Sequence, residues 1–196
     1  KTIDKIWAET EVKDFMDYAS ESRIYRSFLD GEIKDIPLFA VFNNKILNIT
    51  EDTPIHARVK IKYIIDKKEY ESAMQKPFTL YNRNAMIWDN PSKLASFITS
   101  KDTAVKNFAR TVAQMFRYSR VNFLDKNFQY GIQIFDTLGI YGLSYVKDPK
   151  TPFTAYSKSR SQVDYIQYPR DVLKYKTGDC DDLSVTVSAL LDNIGI

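Results

Sequence analysis

The sequence contains the stretch Tyr175-Lys-Thr-Gly-Asp-Cys-Asp-Asp-Leu-Ser-Val-Thr-Val-Ser-Ala-Leu-Leu-Asp-Asn-Ile-Gly195, which predicts a helix that begins beside the only cysteine. Asp179 is suited to be the N-cap because its carboxylate can accept hydrogen bonds from the first turn, and Asp182 adds a capping-box acid. Apolar residues then recur at intervals of three and four, and these are Leu183, Val187, Leu190, Leu191 and Ile194. We expect a buried helix of about four turns that carries Cys180 in its first turn.

This position favours a reactive thiol, because the thiolate is the nucleophile and a helix N-terminus lowers the pKa of a cysteine. Three neighbouring carboxylates oppose that effect, since Asp179, Asp181 and Asp182 would each raise the pKa if they faced the sulfur. The sequence leaves the sign of the net shift open. The same acids lack the alternating ligands of a calcium loop, so we predict helix capping there, with no metal and no cofactor.

Two upstream segments and this helix together carry a resemblance to a known family. The segments are Val163-Asp-Tyr-Ile-Gln-Tyr-Pro-Arg-Asp-Val-Leu173 and Thr137-Leu-Gly-Ile-Tyr-Gly-Leu-Ser-Tyr145 with Val146-Lys-Asp-Pro149. With Gly178-Asp-Cys-Asp-Asp182 they resemble the transglutaminase-like superfamily, in the bacterial branch with the motif Gly-Asp-Cys-Asp-Asp. The resemblance spans about residues 100 to 196 and is most specific over 163 to 183.

The resemblance implies that Cys180 is the nucleophile of a cysteine peptidase or acyltransferase, which attacks an amide carbonyl to form a thioester. Gly178 and Asp179 would form the turn that presents it, with Asp182 in the helix cap. Tyr145 and Tyr156 are candidates for an oxyanion donor or a cleft aromatic. The implied substrate is a protein or peptide, and hydrolysis and acyl transfer are not distinguished.

Members of this superfamily place a catalytic histidine and aspartate after the cysteine, and no histidine follows Cys180 here. The single histidine, His56, lies far upstream in a strand-like context, where a structural role is the simpler interpretation. We therefore expect the front part of a longer enzyme that is inactive as this chain, with the histidine and aspartate downstream of Ile196. The alternative is a non-catalytic binding or scaffold protein that keeps the fold.

In the N-terminal half, apolar residues at helical spacing from Ile3 to Ala19 predict a helical segment over 1–35. The stretch 36–42 reads as a strand or an extended arm, and the alternation over 57–65 predicts a half-buried strand followed by a turn at 66–69. We expect a small antiparallel β-module over 36–90, for which an immunoglobulin-like sandwich is one arrangement. Residues 91–196 would be the partial transglutaminase-like domain.

The predicted fold class is therefore α+β: an N-terminal helical segment and a small antiparallel β-module, then the mainly helical front half of a papain-like or transglutaminase-like domain.

The hydrophobic content of 44% allows a substantial core. The net charge of +3 is spread along the chain without a dense basic run, which argues against nucleic acid. No apolar stretch is long enough for a membrane span. The first residue is Lys1, and the bacterial resemblance favours an extracytoplasmic protein with a removed signal peptide. Oligomeric state is open.

Overall fold

The computed structural model describes residues 2–118, 123–147 and 163–196. They form two compact units, Lys1–Arg83 and Asn84–Ile196. The fold is α+β, with an antiparallel sheet in the first unit and a mainly helical second unit.

The first unit is built on one antiparallel sheet with the order β2-β1-β4-β5, in which β3 also pairs with β1. A short 3-10 helix, Asn44–Asn48, precedes β4. The strands are β1 (Ile3–Val12), β2 (Ser20–Glu21), β3 (Tyr25–Phe28), β4 (Thr53–Ile65) and β5 (Lys68–Leu80). Within the described residues of this unit the strands form a single sheet and not the two facing sheets of a sandwich.

The predicted N-terminal helical segment is wrong, because Ile3–Val12 is the strand β1. Its buried side chains alternate, with Ala8, Thr10 and Val12 at 3%, 6% and 2% exposure. The polar Thr10 at an inward position interrupts the apolar alternation, and the remaining apolar residues fall at spacings that resemble a helix. Pairing with β4 on one side and with β2 and β3 on the other overrides that local pattern.

The strand predicted over 57–65 is confirmed, and it forms a long hairpin with β5. The ladder runs from Thr53 opposite Leu80 to Ile65 opposite Lys68. Asp66 and Lys67 form the two-residue turn with φ of 48° and 64°, as a type I′ turn requires. Residues 68–80 form one strand through Pro77, where two extended segments were expected, and 36–42 form no strand.

The second unit contains two small sheets and four α-helices among its described residues. β6 pairs antiparallel with β8, and β7 pairs parallel with β9. The elements are β6 (Ala85–Ile87), a 3-10 helix (Pro91–Phe97), α1 (Thr103–Met115), α2 (Lys126–Tyr141), β7 (Ser144–Tyr145), β8 (Val163–Tyr165), α3 (Pro169–Tyr175), β9 (Thr177–Gly178) and α4 (Cys180–Asn193). β6 therefore belongs to this unit and not to the predicted β-module.

Helix α4 lies at the centre of the second unit. On one side, its Ala189 and Leu190 join a core with residues of α1, α2 and α3. On another, Val185 packs with Met86, Phe97 and Ile166. Full burial of a Val, Leu, Ile, Phe or Met side chain contributes roughly 1.5–3 kcal/mol, so the two clusters hold α4 in place, and with it Cys180 at its first position.

Candidate active site around Cys180

The start of α4 is held by a reciprocal cap. The Asp182 N–H donates to Asp179 Oδ1 over 3.4 Å, and the Asp179 N–H donates to Asp182 Oδ2 over 3.3 Å. This is the capping box expected from the sequence, with Asp179 at the N-cap and Cys180 as the first helical residue. The N–H groups of Asp179 and Asp182 are two of the four at a helix start that have no acceptor within the helix backbone. Their bonds to these carboxylates fix the backbone that carries the thiol.

Gly178 precedes the cap at a position with no room for a side chain. A Cβ added there would lie 2.8 Å from the Cβ of Asp182, closer than real carbon atoms approach. The strand β7 lies alongside, because the Val146 N–H donates to the Gly178 carbonyl over 3.0 Å and Tyr145 pairs with Gly178. The close packing of Gly178 against Asp182 positions the predicted turn.

The described residues around Cys180 do not activate its thiol. Although the residue as a whole is exposed, partial desolvation raises the pKa of the Cys180 thiol, and the charges of Asp179 and Asp181 raise it further. Backbone N–H groups of the first turn act in the opposite direction and do not compensate. The sign left open by the sequence is therefore upward, and little thiolate forms near neutral pH without a base.

Two aspartates near the helix start, Asp181 and Asp182, have raised pKa values. Burial raises the pKa of Asp181 to about 8, helped by a hydrogen bond with Asp179 and by the charges of Asp179, Asp164 and Asp182. Burial also raises the pKa of Asp182, against hydrogen bonds from Gln167 that lower it.

Donor atoms of Asp179, Cys180 and Asp181 all lie within 4.8 Å of one another. This is the only set of this kind in the described residues that could hold a cation.

Gln167 and Asp164 are positioned here by contacts that sequence reasoning missed. Gln167 donates to both carboxylate oxygens of Asp182, from its backbone N–H over 2.7 Å and from Nε2 over 2.8 Å. Asp164, on β8, accepts from Trp88 Nε1 over 2.8 Å. Both residues lie in the segment that carries the family resemblance, and that was the available signal, although it assigned them no role.

The other predicted site residues are placed differently. Tyr145 is 61% exposed and lies on β7 beside Gly178, so it neighbours the turn that presents Cys180. Tyr156 falls outside the described residues. His56 belongs to the first unit, where it is exposed on β4 opposite Pro77.

A small cavity of about 230 Å³ adjoins the helix start. Its lining includes Lys147, Tyr165, Gln167, Asp179 and Asp182. The cavity combines one cation with two carboxyl groups and an aromatic ring, a lining that suits a polar chain more than an apolar one.

No protein-family model, no curated protein and no solved structure matches the chain. Helices that could cross a bilayer are also absent from the part of the chain that the structure describes.

Proposed function

We propose that this chain carries the nucleophile segment of a transglutaminase-like thiol enzyme, with Cys180 as the residue that attacks an amide carbonyl. The observation that carries the proposal is the placement of an exposed cysteine as the first residue of a capped helix whose inner face is buried. An inert structural cysteine is normally buried among apolar side chains. Here the helix is fixed by two apolar clusters while its first side chain faces solvent.

The proposed reaction begins with transfer of the Cys180 proton to a base. The thiolate then adds to the amide carbonyl carbon, and the tetrahedral intermediate places its negative charge on oxygen. Collapse breaks the carbon–nitrogen bond, and the amine leaves with the proton returned by the base. The resulting thioester is resolved by water in hydrolysis or by a second amine in acyl transfer, with the thiol regenerated in both cases.

A base is required because the surroundings of Cys180 raise the pKa of its thiol. The one histidine of these 196 residues lies in the other unit. We propose that the base and its orienting aspartate come from sequence downstream of Ile196. An imidazolium beside the sulfur would reverse the effect of the neighbouring carboxylates on the thiol.

Two features of the described residues support a peptide or protein substrate. The cavity beside the cap is open to side chains of either charge, since it contains Lys147 as well as Asp179. Tyr145 presents an exposed ring at the same turn, where it can contact the acyl group or donate to its oxygen. The even distribution of charge along the chain supports the exclusion of nucleic acid as a substrate.

The experiment uses the product of the intact reading frame and a Cys180→Ser variant. Release of ammonia from glutamine-containing peptides, incorporation of a fluorescent amine into casein, and hydrolysis of peptide and ester substrates are measured in parallel. We expect turnover in at least one assay that the variant loses by more than about a thousandfold. Equal rates for the two proteins, or no turnover in any assay, would reject the enzyme.

The second candidate is a binding or scaffold protein that keeps the fold without catalysis. The upward shift in the pKa of Cys180 favours it, because an unassisted thiol of this kind is a poor nucleophile. The two candidates differ in the sequence beyond Ile196: the enzyme requires a histidine there, followed by an aspartate. An intact reading frame without that histidine would favour the binding protein.

A further inference from the structure

We propose that the outer edge of β5 binds an extended segment of a partner protein whose side chains alternate between basic and apolar residues. The segment would add a strand to the sheet of the first unit. Among the described residues β4 is the only strand that pairs with β5, so one edge of β5 carries no ladder. The inference concerns a different unit from Cys180 and does not depend on the proposed enzyme.

The hairpin geometry determines which backbone groups face outward. A two-residue turn makes Ile65 and Lys68 a hydrogen-bonded pair, and such pairs alternate with non-hydrogen-bonded ones along an antiparallel ladder. The residues at the non-hydrogen-bonded positions direct their N–H and C=O groups away from β4, and they are Glu69, Glu71, Ala73 and Gln75. Pro77 occupies the next such position, where its missing N–H interrupts no bond to β4.

The resulting free edge runs from Glu69 to Gln75, about 20 Å at 3.3 Å per residue. Every residue over 68–77 is exposed, so side chains on both faces of this edge remain accessible. An added strand could therefore make main-chain hydrogen bonds along four outward-facing residues and side-chain contacts on two faces.

One face of the sheet carries lysines on β4 between glutamates on β1 and β5. Glu9 on β1 forms ion pairs with Lys60 at 3.5 Å and Lys62 at 2.6 Å on β4. On the other side of β4, Glu71 of β5 lies directly opposite Lys62. Glu69 lies two residues before Glu71, on the same face. Glutamates of β1 and β5 thus flank the lysines of β4 on this face, and a strand added beside Glu69 and Glu71 is complementary when its residues on this face are basic.

The opposite face of β5 carries two partly exposed apolar side chains, Tyr70 and Met74, with Ser72 between them and Lys68 and Lys76 on either side. Tyr70 stacks on Tyr63 with ring centroids 5.4 Å apart, and Met74 lies opposite Val59. At the β5 edge Tyr70 is 43% exposed and Met74 is 40% exposed. Apolar side chains of an added strand would bury this remaining area. The residues of the partner strand on this face are therefore expected to be apolar.

The test measures fluorescence anisotropy of a labelled peptide, acetyl-Thr-Lys-Val-Lys-Ile-Lys-Val-Lys-Thr-amide, titrated with the 196-residue chain. The control peptide carries glutamate in place of each lysine. We expect saturable binding of the basic peptide that weakens as salt is raised, and no binding of the acidic one. Absence of saturation up to about 1 mM protein, or equal binding of both peptides, would overturn the proposal.

Variants locate the binding to the edge. Ala73→Pro removes one outward N–H without breaking a bond to β4, and we expect at least a tenfold loss of affinity. Glu71→Gln should weaken binding about two- to fivefold. Its matched control, Glu11→Gln, removes a charge from the same face on β1 and should leave affinity unchanged. Binding unaffected by both Ala73→Pro and Glu71→Gln overturns the proposal.

Two further outcomes are distinguished by direct measurement. If circular dichroism shows that Ala73→Pro is unfolded, the double change Glu69→Lys with Glu71→Lys replaces it, with at least a tenfold loss expected and an unchanged affinity contradicting the proposal. The mass of the chain without peptide is measured by light scattering. A dimer that Glu69→Lys with Glu71→Lys dissociates would assign the edge to a second copy and overturn the proposed partner.

Discussion

Gln167 holds the carboxylate of Asp182 by both of its oxygens, with the backbone N–H on Oδ1 at 2.7 Å and Nε2 on Oδ2 at 2.8 Å. Asp182 is 4% exposed and also completes the helix cap. This one side chain therefore connects the segment that follows β8 to the residue that precedes Cys180.

Asp182→Ala should lower the free energy of unfolding by about 2–4 kcal/mol, because it leaves partly buried N–H groups of Gln167 and Asp179 without this acceptor. Urea denaturation followed by helical circular dichroism measures the change. Asp192→Ala, at an exposed position of the same helix, is the control and should change stability by less than about 0.5 kcal/mol. A loss no larger than that of the control would show that the Gln167 contact contributes little.

Gly178→Ala should destabilise the second unit by about 1–3 kcal/mol, since the new methyl group would meet the Cβ of Asp182 at 2.8 Å. The control is Gly139→Ala within α2, where a Cβ has no neighbour within 4 Å. That change should stabilise by about 0.5–1 kcal/mol, because alanine is the better helix former. Thermal or urea denaturation compares the two, and equal effects would contradict the packing argument.

The ionisation of Asp181 predicts a dependence of stability on pH. Its folded pKa of about 8 lies above its ordinary value, so the folded state holds the proton more tightly. The contribution of Asp181 to stability is therefore fully present below about pH 4 and is lost as the pH rises through about 8. Asp181→Asn, which mimics the protonated form, should raise stability by about 1–3 kcal/mol at pH 8.5 and by much less at pH 5.

Urea midpoints of Asp181→Asn and the unaltered chain at the two pH values measure this difference. Asp192→Asn serves as the control for removal of one exposed charge. A gain that is the same at pH 5 and pH 8.5 would mean that burial does not hold Asp181 in its neutral form.

Alkylation of Cys180 in this chain should be slow at neutral pH and should accelerate through a midpoint above that of an ordinary cysteine, because burial and two carboxylates raise the pKa of the thiol. Iodoacetamide labelling followed by mass spectrometry gives the rate at each pH. Removing the Asp181 charge with Asp181→Asn should lower that midpoint. A midpoint well below that of an ordinary cysteine would show that the helix N-terminus dominates over the carboxylates.

The features that the sequence predicted correctly are those set by neighbouring residues. The capping box of Asp179 and Asp182 and the strand over 57–65 follow from local spacing. The identity of Ile3–Val12 as a strand was missed because three other strands determine it. The contacts of Asp182 with Gln167 and of Asp164 with Trp88 join positions 15 and 76 residues apart, which no local pattern specifies.

The positive φ values of Asp66 and Lys67 determine more than the shape of one turn. They fix the pairing of Ile65 with Lys68, and through it every later pair of the hairpin. One inserted residue would shift that pairing by a single position and exchange the two faces of β5 relative to β4. The glutamates of β5 would then lie on the face of β4 that carries isoleucines, and Tyr70 would lie on the face that carries lysines. The left-handed backbone of Asp66 and Lys67 therefore determines which side chains share a face across the hairpin.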